Sequence, residues 1–339
     1  MHLDLIRKAR QAFPRSKTGN GATNLQNGVI HIDLDRTWLL EKLAVVVTVT
    51  QGFTGAPTSS DVRRFFSQMQ ILVDQGNGMK ANFAAAYDLF RLLKPQAPAP
   101  VVVLGAASSA TFTFEINFAQ LLAIGSLSTA LLSGRYATLA LELTVAPDAN
   151  NGFIGGTVPQ VAQYSVECMP FEMRDQTPAS RGDQGSGWGV AERVLKQQAN
   201  LPITQNGGEF DIILSSGGKT RFVVMHCFDA ATYGNLTDAI INNGARLSME
   251  LDGFKHYENT LLSAVKLVNI QDRGAMPATG VVLMDFGDDP KQWADMRRAK
   301  DIKFHLSVPA SANLPASGRI EICQDYTVGL ERLRGALAA

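Results

Sequence analysis

Elements in the first half of this chain are written again, in the same order, in the second half. Gln26-Asn27-Gly28 precedes the alternating stretch "IHIDL" (30–34), and Gln205-Asn206-Gly207 precedes "FDIIL" (210–214), an offset of 179. An Asn-Gly turn alone is common, but the segments after it recur as well. Apolar runs rich in β-branched residues come next, "LAVVVTVT" (43–50) and "RFVVMHCF" (221–228). Then "QMQILVDQG" (68–76) and "ARLSMELDG" (245–253) each end on an Asp close to a Gly, with Asp74 and Asp252 178 positions apart. A unit written twice must fold twice, so any candidate fold has to be one that a half-chain can complete.

After the aspartates, Met79, Phe83, Tyr87 and Phe90 in the first half recur at helical spacing, as do Phe254, Tyr257, Leu261, Val265 and Val268 in the second. This spacing predicts a helix docked on a sheet at both places. Two strands of strict period two stand further on. "FTFEINF" (112–118) sets Phe112, Phe114, Ile116 and Phe118 against polar residues, and "IKFHLSV" (302–308) does the same with Ile302, Phe304, Leu306 and Val308. Each is followed by a loop, a Ser-Gly-Arg triplet (from Ser133 and from Ser317, 184 apart) and another alternating strand. Period two means one face buried and one wet, as in antiparallel sheets packed face to face.

Many short alternating strands broken by Gly, Pro, Asn and Ser turns point to an all-β sandwich or barrel, because strands and helices do not alternate as in parallel α/β folds. Two such units, each with about eight strands and one flanking helix, predict two tandem eight-stranded jelly-roll β-sandwiches in one chain. The Gly, Ser, Asp and Pro-rich stretch 172–189 is the natural connector or a long surface loop. The expected division is an N-terminal basic arm or helix over 1–24, a first jelly roll over 25–180 and a second over 181–339.

Composition narrows the function. Among 339 residues, 45% are hydrophobic and 18% charged, which is a globular rather than a disordered balance. The 31 basic and 31 acidic side chains cancel, which disfavours extensive phosphate contact and sequence-specific nucleic-acid binding. Cys168, Cys227 and Cys323 have no metal-ligand spacing and suggest buried free thiols made in a reducing cytoplasm. No signal peptide is legible at the start, and "FAQLLAIGSLSTALL" falls short of the ~20 apolar residues of a membrane span, so a soluble chain is expected. Asp285-Phe286-Gly287 copies a kinase triplet without the rest of the kinase set and reads as a strand ending in a turn. Asp285, Asp288 and Asp289 lack the spacing of a calcium loop and read as a solvated acidic turn. His2, His31, His226, His256 and His305 form no ligand pair, and "GSGWG" (185–189) lacks the strand a dinucleotide fingerprint requires. No catalytic, cofactor or metal constellation is legible, and no enzymatic activity is expected. In "LDLIRKARQAFPRSK", Arg7, Lys8, Arg10, Arg15 and Lys17 surround Leu3, Ile6 and Phe13, which reads either as an amphipathic helix on an anionic surface or as a charged terminus.

A tandem pair of similar jelly-roll units resembles the double-jelly-roll major capsid proteins of tailless icosahedral, membrane-containing bacteriophages of the tectivirus, corticovirus and finnlakevirus kind. The resemblance runs from about Gln26 to Val328 and rests on the repeat, the chain length and the flanking helices, with no diagnostic motif. It implies a structural virion protein, synthesised in the host cytoplasm, that forms homotrimers presenting six rolls as a pseudo-hexagonal tile of an icosahedral capsid. It also implies an N-terminal arm, here Arg7, Lys8, Arg10, Arg15 and Lys17, reaching a neighbour or an internal lipid membrane, with penton and minor capsid proteins as further partners. Two other readings stay open. One is a tandem jelly-roll carbohydrate-binding or glycan-processing protein, and the other is a minor vertex or spike protein of the same virion.

Overall fold

The computed structural model describes residues 15–18, 29–34, 36, 39–50, 65–74, 76–92, 103–105, 109–118, 129–145, 163–173, 191–231, 234–273, 280–287, 289 and 291–329. The chain divides into two compact units: residues 1–90 with 96–193 and 329–339, and residues 194–328 with 91–95.

The first unit contains β1 (Arg15–Thr18), β2 (Val29–Asp33), β3 (Leu39–Thr50), β4 (Phe66–Val73), β5 (Gly76–Asn82), α1 (Phe83–Leu92), β6 (Val103–Gly105), β7 (Ser109–Asn117), β8 (Leu131–Leu132), β9 (Leu139–Val145) and β10 (Gln163–Met173). One sheet runs β1-β10-β3-β7-β6, with β8 also on β3, and the other runs β5-β4-β9-β2. With the short β6 and β8 set aside, these are the eight strands of a jelly roll in orders 1-8-3-6 and 2-7-4-5.

The second unit contains β11 (Glu192–Ile203), β12 (Gly208–Ile212), β13 (Lys219–Asp229), β14 (Arg246–Leu251), β15 (Phe254–Leu261), α2 (Leu262–Arg273), β16 (Val281–Asp285), β17 (Ala294–Asp295), β18 (Ile302–Val308) and β19 (Gly318–Val328). Its strands run β16-β13-β19-β11 and β12-β18-β14-β15, and β17 lies against β13. These are the same two orders, 1-8-3-6 and 2-7-4-5, with a helix again between the fifth and sixth strands. Two eight-stranded jelly rolls are present in one chain.

Alternation drives the first roll. Leu43, Val45 and Val47 of β3, Phe112, Phe114 and Ile116 of β7, and Met69 and Ile71 of β4 are buried. The intervening residues of β3 and β4, among them Val46, Thr48 and Gln70, are half-exposed. Phenylalanines knit the two sheets and α1 together edge to face: Phe66 meets Phe83 at 5.1 Å and Phe83 meets Phe114 at 4.9 Å between ring centroids. The second roll fills the same space with aliphatic and sulfur side chains, including Val223, Met225, Val282, Met284, Leu306, Ile320 and Ile322. Its β13 and β19 are buried on both faces from Thr220 to Phe228 and from Ile320 to Thr327. That is why "RFVVMHCF" does not alternate. Buried Gln324 of β19 is fully used: it accepts from Gln198 Nε2 (2.9 Å) and Ser215 N (2.7 Å) and donates to Ser215 O (3.0 Å) and Thr220 Oγ1 (2.6 Å).

The paired aspartates occupy equivalent turns between the fourth and fifth strands. Asp74 has φ 48° and Asp252 φ 49°, both left-handed. Asp252-Gly253, with Gly253 at φ 81°, is the two-residue connection of a tight hairpin that closes Leu251 onto Phe254. Each carboxylate then reaches the segment just before the seventh strand. Asp74 Oδ1 accepts from Ala137 N and from Thr138 N (3.1 Å), and Asp252 Oδ1 accepts from Lys300 N (2.7 Å) and Asp301 N (2.8 Å). The backbone returns the contact, Asp74 N to Thr138 O at 3.1 Å and Asp252 N to Asp301 O at 2.9 Å.

Three expectations require correction. Met79 lies in strand β5, and Phe254, Tyr257 and Leu261 lie in strand β15, so each helix begins later than its spacing suggests, at Phe83 and Leu262. The fifth strand has to run before the chain can turn into the helix, and its apolar residues happen to continue the helical spacing. The Ser-Gly-Arg match is accidental: Ser133–Arg135 is a 3-10 turn ahead of the seventh strand, whereas Gly318 and Arg319 open the eighth. By the same topology "FTFEINF" is a sixth strand and "IKFHLSV" a seventh, so the true counterpart of β7 is β16. Finally, Arg15–Thr18 is the first strand of the first roll, paired with Gln163–Val166, rather than part of an arm ahead of it. It supplies the neighbour that β10 needs on its outer side.

Replacing Asp252 by Ala removes a charged acceptor from two backbone N–H groups and places a Cβ residue with no local hydrogen bond in the left-handed region. The expected cost is about 1–3 kcal/mol in urea unfolding. Asp252→Asn keeps an acceptor oxygen and tolerates the conformation, so it should lose less than about 1 kcal/mol. Equal losses for the two variants would show that the clasp does not contribute.

Candidate functional site

The residues that most invited a chemical reading serve the fold. Asp285 ends β16, and its Oδ1 accepts from Gly287 N at 2.8 Å while the Trp293 indole donates to Gly287 O at 2.9 Å. Gly287 has φ 95°, and a Cβ there would stand 2.3 Å from Gln292 Oε1, so the triplet is a closed turn. Asp289 accepts from Lys291 N at 2.9 Å within the same turn, and Asp288 lies outside the described residues. Among the described residues, no group of three or more His, Cys, Asp or Glu side chains is placed to hold a metal ion. Trp293 is buried with the Arg221 guanidinium 5.6 Å from its ring, so it forms no exposed aromatic platform; Trp38 and Trp188 lie outside the described residues. Cys168, Cys227 and Cys323 are free and buried, and desolvation pushes the Cys168 and Cys227 thiols up to about 12. No helix among the described residues is long and apolar enough to cross a membrane.

The polar chemistry that is organised lies on the outward side of the 2-7-4-5 sheets. In the first roll His31 of β2 stands directly opposite Glu142 of β9. Its Nδ1 is 2.8 Å from Glu142 Oε1 and its Nε2 is 3.0 Å from Asp33 Oδ1. Gln70 of β4, next along the rung, donates to the other oxygen of Glu142. In the second roll His305 of β18 stands opposite Asp211 of β12. Its Nδ1 is 2.8 Å from Asp211 Oδ1 and its Nε2 is 2.7 Å from Glu209 Oε2, while Ser307 Oγ donates to Glu209 Oε1 at 2.6 Å. Hydrogen bonding to Glu142 leads the rise in the His31 pKa, and hydrogen bonding to Asp211 leads that of His305, with partial burial opposing in both. Both histidines sit on the polar phase of their strands, as the alternation predicts. Alternation does not pair them across strands, although "HID" and "EFD" each place acidic groups on the same side of a strand as the rung residue.

Among the described residues the large exposed apolar side chains are few. Leu267 and Val268 on the outer side of α2 are 67% and 51% exposed, and Ile213 and Phe254 are 87% and 67% exposed. Of the basic residues near the start, Arg15 and Lys17 fall in β1, opposite Val166 and Tyr164, while Arg7, Lys8 and Arg10 lie outside the described residues.

Comparison with solved structures finds the same double fold. The chain is similar to the major capsid protein of Sulfolobus Turreted Icosahedral Virus at 11% identity and a TM-score of 0.59, covering 93% of this chain and 97% of that one. It is similar to the major capsid protein P2 of bacteriophage PM2 at 11% identity and a TM-score of 0.56, with the same coverage of 93% and 97%. It is also similar to the VP54 protein of PBCV-1, fitted into a reconstruction of the virophage Sputnik, at 12% identity, a TM-score of 0.59 and coverage of 95% and 94%. No protein-family model matches the chain, and no curated protein sequence matches it. At these identities the likeness establishes the double jelly roll as the fold.

With their thiols buried and their pKa values raised, Cys168 and Cys227, together with buried Cys323, should resist an aromatic disulfide reagent in the native protein at pH 8 and react fully in denaturant. Stoichiometric native labelling would contradict their burial.

Proposed function

We propose that this protein is the major capsid protein of an icosahedral virion, a structural tile that self-assembles as a trimer. The observation that carries the reading is the recurrence of one jelly-roll strand order, 1-8-3-6 and 2-7-4-5, in both halves of a single chain. Solved structures similar to it over at least 93% of its length are named as major capsid proteins. Three copies of a two-roll chain present six similar blocks, which lets a three-fold unit tile a hexagonal lattice. The role asks for rigidity and for controlled strand edges rather than for a reactive centre. Free buried thiols suit synthesis in a reducing host cytoplasm before incorporation into the virion. The residues before β1, with Arg7, Lys8 and Arg10, serve as the partner-facing arm, contacting a neighbouring subunit or an internal membrane, while Arg15 and Lys17 anchor it as part of β1; penton and minor capsid proteins would meet the same tile at its borders.

Purified protein should scatter light with the mass of a trimer at all concentrations down to the micromolar range, and negative-stain images should show pseudo-hexagonal particles. A strictly monomeric species would overturn the proposal. Deleting residues 2–14 should leave the trimer intact and abolish closure of shells. Flotation of the intact protein, but not of the deletion, with anionic phosphatidylglycerol vesicles would identify the arm's partner as lipid, and no flotation of either would identify it as protein.

A further inference from the structure

The histidine rungs recur in the two rolls with their sides exchanged. By strand order β2 is equivalent to β12 and β9 to β18. In the first roll the imidazole is on the second strand and its directly opposed carboxylate on the seventh. In the second roll the imidazole is on the seventh and the opposed carboxylate on the second. In both, a second carboxylate from the second strand closes on the other ring nitrogen, Asp33 at 3.0 Å and Glu209 at 2.7 Å. The second strand ends its sheet in each roll and is only five residues long, so few ladder bonds hold it.

We propose that His31 and His305 are a matched pair of proton-dependent staples, each fastening the short end strand of its roll to the seventh strand when the imidazole is protonated and releasing it when it is not. A neutral imidazole carries one N–H and one lone pair, so it can donate to only one of its two carboxylates and turns a lone pair toward the other. An imidazolium donates to both, through two charge-assisted hydrogen bonds. The surroundings favour the charged form. His31 faces Asp33 on its own strand and Glu142 on β9, with Gln70 of β4 and Lys80 of β5 further along the rung. His305 faces Glu209 and Asp211 of β12, with Ser307 and Lys303 on its own strand and Arg246, Ser248 and Glu250 on β14. Lys303 is itself held by Asp301 at 2.8 Å and Glu250 at 3.3 Å, and Arg246 donates to Asn259 O at 2.9 Å, so the cations beside His305 are already engaged.

The direction of the shifts fixes the sign. A folded pKa above the unfolded value of about 6.5 means that the stabilisation is complete below that pH and is lost as pH rises through the folded pKa. His256 acts in the opposite sense. Burial lowers its pKa, with its ring between Phe254 and Phe286, so it opposes the staples at low pH. With side chains 39% and 41% exposed, each staple is modest, and its effect is local to the strand it holds. The two rungs act whether or not the chain is a capsid tile; in a capsid they make the tile firmest in mildly acidic surroundings and looser in alkaline ones.

The test uses the full-length protein. Thermal midpoints are measured from pH 5.5 to 8.5 for the wild type, His31→Gln, His305→Gln and the double variant, with hydrogen exchange of β2 and β12 followed in parallel. The wild type should lose about 2 °C or more, relative to the double variant, between pH 6 and 8.5. After correction for intrinsic rates, exchange in β2 and β12 should quicken with pH in the wild type and not in the double variant. Parallel midpoint curves for the two proteins would overturn the proposal. Should the double variant fail to fold, the wild-type imidazole titrations followed by NMR decide: two resonances titrating above 6.5, assigned by the single variants, support it, and either one titrating at or below 6.5 refutes it.

Discussion

In a jelly roll nearly every chain neighbour is in the other sheet. Of the eight strands in each roll, only the fourth and fifth are adjacent both in sequence and in a sheet, and every other pairing joins distant segments. The turn between them is therefore the place, present in both rolls, where local chemistry can set the register of two main strands unaided. Asp74 and Asp252 occupy that turn, and each does two things at once. Its left-handed backbone closes the hairpin, and its carboxylate holds the two N–H groups just before the seventh strand. The seventh strand lies between the second and the fourth, so fixing where it starts aligns three strands with one side chain. The loop closed by this distant contact is long, and a charged acceptor at its end offsets part of the entropy that closure costs.

That dependence explains which parts of the fold were legible in the sequence. Residues answering to the local period, in β4, β7, β9 and β18, could be placed on inner or outer faces because each sheet there has one wet side. The aspartate repeat was legible because the same turn demands the same side chain. Beyond the fifth strand the register of the repeat slipped. The later connections of the second roll are shorter, so β9 and β18 begin at Leu139 and Ile302, closer than the earlier offset implies, and a chance Ser-Gly-Arg triplet filled the gap. Helix starts were misplaced because strand-to-helix junctions at Phe83 and Leu262 carry apolar residues across the change of period. The His–carboxylate rungs needed a register between β2 and β9 and between β12 and β18, which no local pattern contains.

The two rolls reach the same strand order with different interiors. Aromatic edge-to-face contacts among Phe65, Phe66, Phe83, Phe112 and Phe114 hold the first. The second packs Met225, Met249, Met284 and Met296 with branched aliphatic residues. Aromatic rings tie packing to a few orientations, whereas methionines adapt to irregular space. The second roll compensates with polar specificity, since the four bonds of Gln324 and the Asn269 side chain on Leu283 N (3.0 Å) each admit one arrangement of the strands around them.

Core composition thus varies freely between rolls while strand order and the aspartate turn do not. The same separation accounts for similarity to other double rolls at 11% or 12% identity with TM-scores of 0.56 to 0.59. A sandwich of this topology needs inward alternation and a turn that closes the hairpin of its fourth and fifth strands. Many sequences meet those conditions, because burial is indifferent to which apolar residue supplies it so long as volume is kept. The outer rungs of the 2-7-4-5 sheets lie outside those conditions, because their side chains face away from the core. An imidazole flanked by two acids is not required there by the fold, and its presence on opposite strands of the two rolls means that the same pairing was reached by different side-chain placements. Such an arrangement answers to the protons around the protein rather than to the packing inside it.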